Sequence, residues 1–338
     1  MACFPATRAL VVFDCGVTLL VLGEADIRAA LDMESCIEAM AGILASLERG
    51  EATMPLRFVV RPAQSPPLLG LMPAHRAGAA PVFALKEIVV APGNRERGLD
   101  PHQGAVLVHD GETGVLRAVL NASAVTEIRT AAVSGLATRL LARPGSRRVA
   151  ILGAGIQARA HVEAMRAVLA EPEIVLWGPT AERASALARE LGVAAVSTVD
   201  EAVAGADVIC TTTASRDPIL FARQLAPGVH VNAVGASVPT SRELDGAAVA
   251  AASLFVDRRE STLAESGDYL MAVEEAGIGP DHIRAELGEL LVGSHPGRTS
   301  DTEITLFKSL GLAVEDLAAA ELCIARARER GLGTELDF

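Results

Sequence analysis

Arg148-Val149-Ala150-Ile151-Leu152 runs directly into Gly153-Ala154-Gly155-Ile156-Gln157-Ala158, and the helical run opening at Arg159 follows at once. An apolar strand, a glycine turn and a helix in that order form the fingerprint of a dinucleotide site. Gly153 permits the tight turn, Gly155 lets the backbone approach a pyrophosphate, and Ala158 is small enough for close helix–strand packing. The helix N-terminus adds unpaired N–H groups and the positive end of its dipole. A lone GxGxxA is a weak signal, because glycine turns also serve plain packing. Here the flanking strand and helix carry the reading.

Around this stretch lie further short apolar strands, at 174–177, 208–212, 229–234 and 254–256, with helical segments such as 181–191 between some of them. Short buried strands with helical crossovers predict a doubly wound parallel sheet over residues 130–300. Upstream the texture differs. Residues 33–48 put Met33, Cys36, Ile37, Met40, Leu44 and Leu47 on one helical face, with Asp32 as cap and Gly50 as stop. β-rich runs follow at 68–72, 82–90, 105–109 and 115–120, and His109-Asp110-Gly111-Glu112-Thr113-Gly114 reads as a hairpin loop. An α+β domain is therefore expected over 18–129, rejoined at 301–338 by an amphipathic helix carrying Leu312, Val314, Leu317, Leu322 and Ile324. Residues 1–17 read as an N-terminal extension.

The 338 residues suit two domains. Aromatics are only 3% while Gly and Ala abound, which favours helices packed closely on a parallel sheet over a β-sandwich. A net charge of −12 leaves no basic footprint for nucleic acid or an anionic membrane. The apolar stretch 9–22 is broken by Asp14 and Gly16, so neither a signal peptide nor a membrane span is expected. Cys3, Cys15, Cys36, Cys210 and Cys323 are scattered without a CxxC pair. They suggest no disulfide framework or metal site, and a cytoplasmic setting. Cys36 and Cys210 read as core residues, His161 as a helix-surface residue and His230 as a strand end.

Against this acidic background three cations stand out. Arg57 follows Met54-Pro55-Leu56, Lys86 interrupts Val82-Phe83-Ala84-Leu85, and Arg129 precedes Thr130-Ala131-Ala132 at the domain junction. A lysine in such a strand is costly to bury unless paired or working. Singly, each reads as a structural ion pair or a surface charge. Together they could clamp a substrate carboxylate. The second strand of the nucleotide domain ends Trp177-Gly178-Pro179-Thr180, with no carboxylate to bind a ribose 2′-OH or repel a 2′-phosphate, and Arg183 follows. That leans toward NADPH. Read instead as a solvated helix residue, Arg183 says nothing of the cofactor, so NAD stays open.

In this order the pieces resemble the ornithine cyclodeaminase/mu-crystallin family. The matching stretches are Met54-Pro55-Leu56-Arg57, Leu71-Met72-Pro73-Ala74, Glu127-Ile128-Arg129-Thr130, Val231-Asn232-Ala233-Val234-Gly235-Ala236-Ser237 and Arg242-Glu243-Leu244-Asp245. Leu306-Phe307-Lys308-Ser309-Leu310-Gly311 with Val314-Glu315-Asp316 is the most distinctive. The resemblance implies a homodimer whose split first domain is completed by the C-terminal helix. It implies that Arg57, Lys86 and Arg129, with Ser237, face an amino- or imino-acid substrate. The expected cofactor contacts are Thr130, Gly153, Ala154, Gly155, Ile156, Gln157, Thr180, Arg183, Thr212, Val234, Gly235 and Lys308.

Two positions depart from the cyclodeaminase pattern, in which acidic residues stand where this chain has Gly70 and Ser237. Their loss argues against ornithine cyclisation, and Ser237 matches the branch that reduces cyclic ketimines. A third departure cuts the other way, since that branch has an Arg where this chain has Pro179. The expected activity is NAD(P)H-dependent reduction of an imino-acid C=N bond, with Lys86, Arg57 and Arg129 as catalytic residues. The rivals are a lyase that uses NAD internally and a non-catalytic, cofactor-dependent ligand binder.

Overall fold

The structure, a computed structural model, describes residues 18–63 and 67–338; the expected extension at 1–17, with Cys3 and Cys15, lies outside the described residues. The first half of the chain supplies β1 (Thr18–Leu22), β2 (Ala52–Thr53), β3 (Phe58–Val60), β4 (Leu68–Arg76), β5 (Val82–Val90), β6 (His102–Asp110) and β7 (Leu116–Asn121). From β4 to β7 the pairing is antiparallel, as hairpin connections dictate. The β6–β7 turn forms as the sequence reads, with one Asp110 carboxylate oxygen accepting from the Glu112 and Thr113 N–H groups. The helix Met33–Glu48 starts on Asp32, whose carboxylate accepts the Ser35 N–H at 2.9 Å.

The second half supplies β8 (Arg148–Leu152), β9 (Glu173–Trp177), β10 (Ala194–Ala195), β11 (Val208–Thr211), β12 (His230–Ala233), β13 (Ser253–Val256), β14 (Ile283–Glu286) and β15 (Thr305–Lys308). They form one parallel sheet in the order β10-β9-β8-β11-β12-β15-β13-β14. The chain winds from β8 to one side and then to the other, which puts the switch point between β8 and β11. The final strand, β16 (Thr334–Asp337), returns to the first sheet beside β1.

Residue 130, the expected start of the parallel-sheet domain, lies inside a single helix, Ala122–Leu141, and the segment assigned to the first domain beyond residue 300 first supplies β15 to the parallel sheet. The chain therefore leaves that sheet only after Lys308. The helix Ala122–Leu141 is built almost wholly of small and apolar residues and is buried on nearly every side. Its Val125, Ile128 and Leu136 join the first core, while Ala131 joins the core under β8. The C-terminal helix Ala313–Arg330 packs Leu317, Ile324 and its start at Leu312 and Val314 into the first core. Each fully buried aliphatic side chain there contributes about 1.5–3 kcal/mol to that docking.

His161 corrects its surface reading. The ring is fully buried, with Nε2 2.9 Å from Ser134 Oγ and Nδ1 2.7 Å from the Gln157 carbonyl, so it ties the helix Ile156–Val168 to Ala122–Leu141. Burial drives its pKa down to about 4, and the imidazole is neutral. His230 does begin a strand, but it too is fully buried. Cys36 and Cys210 are core residues, and burial pushes both thiols up to about 12.

Candidate functional site

At the switch point, β8 ends in the glycine turn. Gly153 has φ 147°, and its N–H donates to the Trp177 carbonyl at 2.7 Å. A Cβ there would lie 2.3 Å from Thr212 Oγ1, so the turn and the end of β11 touch backbone to side chain. Gly155 differs: it caps the helix Ile156–Val168, and a Cβ on it would meet nothing within 4 Å. The Gln157 amide oxygen is buried without a hydrogen-bond partner. Ile156 is about half exposed beside it. An open cradle at Gly155 and a helix N-terminus suit a dinucleotide pyrophosphate. Thr180 and Arg183 are exposed at the end of β9, and among the described residues Arg183 makes no ion pair.

The three singled-out cations come from a strand, a helix and the loop before β3. On β5, Lys86 shares the inward face with Val82 and Ala84. Its Nζ lies 2.7 Å from Asp316 Oδ2 and donates to Thr126 Oγ1 at 3.4 Å. Arg129 projects from the middle of the helix Ala122–Leu141, donating from Nε to Asp316 Oδ1 at 2.9 Å and from Nη1 to Glu315 Oε2 at 2.8 Å. One carboxylate thus bridges both cations. Arg57 is only partly buried; its Nε lies 2.8 Å from Glu265 Oε2, and Nη2 donates to the Leu310 carbonyl at 2.9 Å.

The parallel sheet meets this cluster at its carboxyl edge. Asp257, just after β13, accepts the Leu310 and Gly311 N–H groups at 2.6 and 2.8 Å, which shapes the loop after β15. Gly311 has φ 79°, and a Cβ on it would press to 2.6 Å from Arg129 Nη1. Met54, Arg57, Met72, Ser261, Gly311 and Ala313 enclose a cavity of about 10 Å³, room for one water. A larger cavity of about 380 Å³ lies away from the cations, where Ser253 opens β13 and Glu303 precedes β15.

Burial is the main influence on the charged groups here. It lowers the Lys86 pKa to about 8, opposed by Asp316 and reinforced by Arg129. It also works against Asp316 and Arg129, but their mutual attraction wins, so Asp316 titrates below the usual carboxylate range and Arg129 above the usual guanidinium range. Glu315 goes the other way: burial, only partly countered by Arg129 and aggravated by Asp257, raises it to about 7. Its Oε1 is buried and accepts no hydrogen bond.

The remaining expected contacts divide. Val234 and Gly235 follow β12, Thr212 follows β11, and Ser237 is half-buried two residues beyond Gly235. Thr130 is buried beside Arg129. Lys308 does not reach outward. Its buried Nζ pairs with Asp268 Oδ2 at 2.9 Å and donates to the Ala236 and Ala233 carbonyls at 2.6 and 3.3 Å, which uses all three of its protons. It therefore braces the loop after β12 from beneath. Sequence reasoning gave no role to Asp316, Glu315, Asp257, Glu265, Glu243 or Asp268. The available signal was carboxylates inside apolar runs, as in Ala313-Val314-Glu315-Asp316-Leu317.

A parallel sheet with a glycine turn at its switch point, facing a second domain that supplies buried cations, defines the class of two-domain dinucleotide-fold proteins. Within it, the chain belongs to the ornithine cyclodeaminase/mu-crystallin family, which it matches over residues 18–331. It is 44% identical over 275 residues to the ketimine reductase mu-crystallin of Mus musculus, spanning 81% of this chain and 85% of that protein. The Thermococcus litoralis Δ1-pyrroline-2-carboxylate reductase, solved with NADH and L-proline, superposes with a TM-score of 0.89 at 33% identity, covering 94% of this chain and 100% of that one. An archaeal alanine dehydrogenase dimer with bound NAD gives 0.88 at 31% identity, covering 95% and 100%.

Proposed function

We propose that the protein reduces the C=N bond of a cyclic imino acid to the amino acid, with NAD(P)H as reductant. The observation that carries the reading is the buried Lys86–Asp316–Arg129 cluster at the carboxyl edge of the parallel sheet. Among the described residues, Arg57 Nη1 and Arg129 Nη2 carry no hydrogen bond, so each guanidinium keeps one group for a substrate carboxylate. Clamping the carboxylate orients the imine carbon, and orientation is where much of the rate originates. With a pKa of about 8, Lys86 is mostly an ammonium at neutral pH and can give its proton to the imine nitrogen, directly or through one water. Asp316 holds that ammonium in place. NAD(P)H held at the glycine turn would supply the hydride that the imine carbon needs.

The cofactor set proposed above keeps Gly153, Ala154, Gly155, Ile156 and Gln157 at the pyrophosphate, and Thr130, Thr212, Val234 and Gly235 toward the nicotinamide. Thr180 and the unpaired Arg183 support a modest preference for NADPH, because no carboxylate at the end of β9 repels a 2′-phosphate. Three buried, unpaired cysteines (Cys36, Cys210 and Cys323) are in keeping with a cytoplasmic protein. Among the described residues no helix is long and apolar enough to cross a membrane.

A homodimer is part of the reading. Phe83 and Val89 sit on the outer face of β5, and Phe58, Val59 and Val60 are exposed on β3. Such an apolar sheet face suits a second copy of the chain. Light scattering on the purified protein tests it. The activity is tested by a spectrophotometric panel of pyrroline, piperideine and linear imino acids against NADH and NADPH, with imine-dependent cofactor oxidation expected.

A further inference from the structure

One carboxylate near the glycine turn takes no part in that scheme. Glu243 is fully buried and accepts four hydrogen bonds. Its Oε1 takes the Thr213 N–H at 2.6 Å and the Thr213 hydroxyl at 2.7 Å. Its Oε2 takes the Thr211 hydroxyl and the Gly235 N–H, each at 2.7 Å. Thr211 ends β11, Thr213 follows it, and Gly235 follows β12. A single side chain therefore ties together the carboxyl ends of two neighbouring strands. They are drawn so close that a Cβ on Gly235 would lie 2.0 Å from the Thr213 carbonyl oxygen.

Glu243 is itself held from behind. Its own N–H and that of Leu244 donate to Asp268 Oδ1 at 2.8 and 3.0 Å, while Asp268 Oδ2 meets Lys308. Lys308 returns to the carbonyls of Ala233 and Ala236, so the loop after β12 is braced from both sides. A buried network of this kind, two carboxylates satisfied by N–H and hydroxyl donors and one ammonium, is expensive to assemble and is rigid once satisfied.

In a sheet ordered this way, ligands lie across the carboxyl ends of the strands. The β9 side takes the adenosine half and the turn after β8 takes the pyrophosphate. The ends of β11 and β12 are left for the other half. We propose that Glu243 is a positioning residue for the nicotinamide half of the cofactor, acting by locking the ends of β11 and β12 into one wall. The inference rests on the dinucleotide reading of the site.

Trp177, the sole tryptophan, ends β9 beside the glycine turn and serves as a built-in reporter. Its emission is titrated with NADPH and with 2′-phospho-ADP-ribose, which lacks the nicotinamide. Glu243→Gln presents an amide N–H₂ to donors and should weaken NADPH binding about tenfold or more, the scale of a lost charged hydrogen bond. Binding of the adenosine-half probe should be unchanged. Thr211→Val removes one of the four bonds and should act in the same direction by less, which keeps the test open if Glu243→Gln fails to fold. Equal loss of both ligands, or NADPH affinity unchanged in the folded variants, would overturn the inference while leaving the cofactor site standing. The same titrations are run with NADH and ADP-ribose, and wild-type protein that binds none of the four would overturn the cofactor site, and this inference with it.

Discussion

Lys86 and Asp316 form a buried ion pair, 2.7 Å between Nζ and Oδ2, although 230 residues separate them in the chain (316 − 86). Asp316 gives its other oxygen to Arg129, so the charge of Lys86 depends on a carboxylate that also holds the proposed clamp. For Asp316→Asn, about 3–5 kcal/mol of stability should be lost, because Lys86 is left buried without its counter-charge and Arg129 keeps only Glu315. In protein that still folds, the Lys86 pKa should fall below its present value of about 8. The alkaline limb of kcat/KM, where Lys86 loses its proton, should then move to lower pH. An unmoved limb in the folded variant would remove Lys86 as the proton donor.

Glu315 should leave a pH signature in stability. Its folded pKa of about 7 lies above the unfolded value of about 4.3, so between the two the folded state binds more protons than the unfolded one. That contribution is fully present below the unfolded value and is lost as pH rises through 7. Glu315→Gln lacks the titration. Its stability relative to wild type should therefore improve between pH 5 and 8, as read by urea unfolding at both. A constant difference would show that Glu315 titrates normally.

The two glycines of the turn should fail in different ways. At Gly153, φ 147° and a 2.3 Å approach to Thr212 leave no room for a side chain, so Gly153→Val should destabilise the fold itself. Gly155 has φ −108° and open space before it. Gly155→Val should fold with a near-normal melting temperature and lose dinucleotide affinity, because the valine occupies the phosphate cradle. Calorimetry paired with cofactor titration separates the two outcomes, and unchanged affinity in Gly155→Val would remove the pyrophosphate assignment.

Arg57 is the most exposed of the three cations, so its loss should cost toward the lower end of the roughly 2–5 kcal/mol typical of a truncated charge pair. Arg57→Ala should raise KM for the imino acid and leave cofactor affinity alone. Normal imine kinetics would take Arg57 out of the clamp.

Much of the architecture is legible in the residues because it is local. The strand, turn and helix around Gly153 and the capped helix after Asp32 are set by patterns a few residues long. The helix Ala122–Leu141 is not legible this way. It is buried on nearly every side, so no apolar period stands out, and the expected domain boundary falls in its middle. His161 misled for a related reason: a polar residue on a helix reads as surface until a second helix supplies Ser134 as its partner. The cations were visible as charges in apolar runs. Their partners were not, because Arg129 meets Asp316 across 187 residues, and no short pattern encodes that contact. Lys308 shows the converse. Its motif marked it for the cofactor, yet its ammonium is spent on Asp268 and two carbonyls.

Gly70 and Ser237 bear on the choice between reductase and lyase, since neither can supply the negative charge that ornithine cyclisation in this family implies at those positions. On β4, Gly70 is paired with Ile88, and a Cβ on it would meet the Ile88 side chain at an ordinary contact distance of 3.4 Å, so sterics do not dictate the glycine. The most direct measurement gives the purified protein a cyclic imino acid with NAD(P)H in one cell and ornithine with NAD in another. Reduced-cofactor consumption and ammonia release are followed in both. The account predicts imine-dependent oxidation of NAD(P)H and negligible ammonia from ornithine. Robust conversion of ornithine to proline and ammonia, with no imine-dependent oxidation, would contradict it.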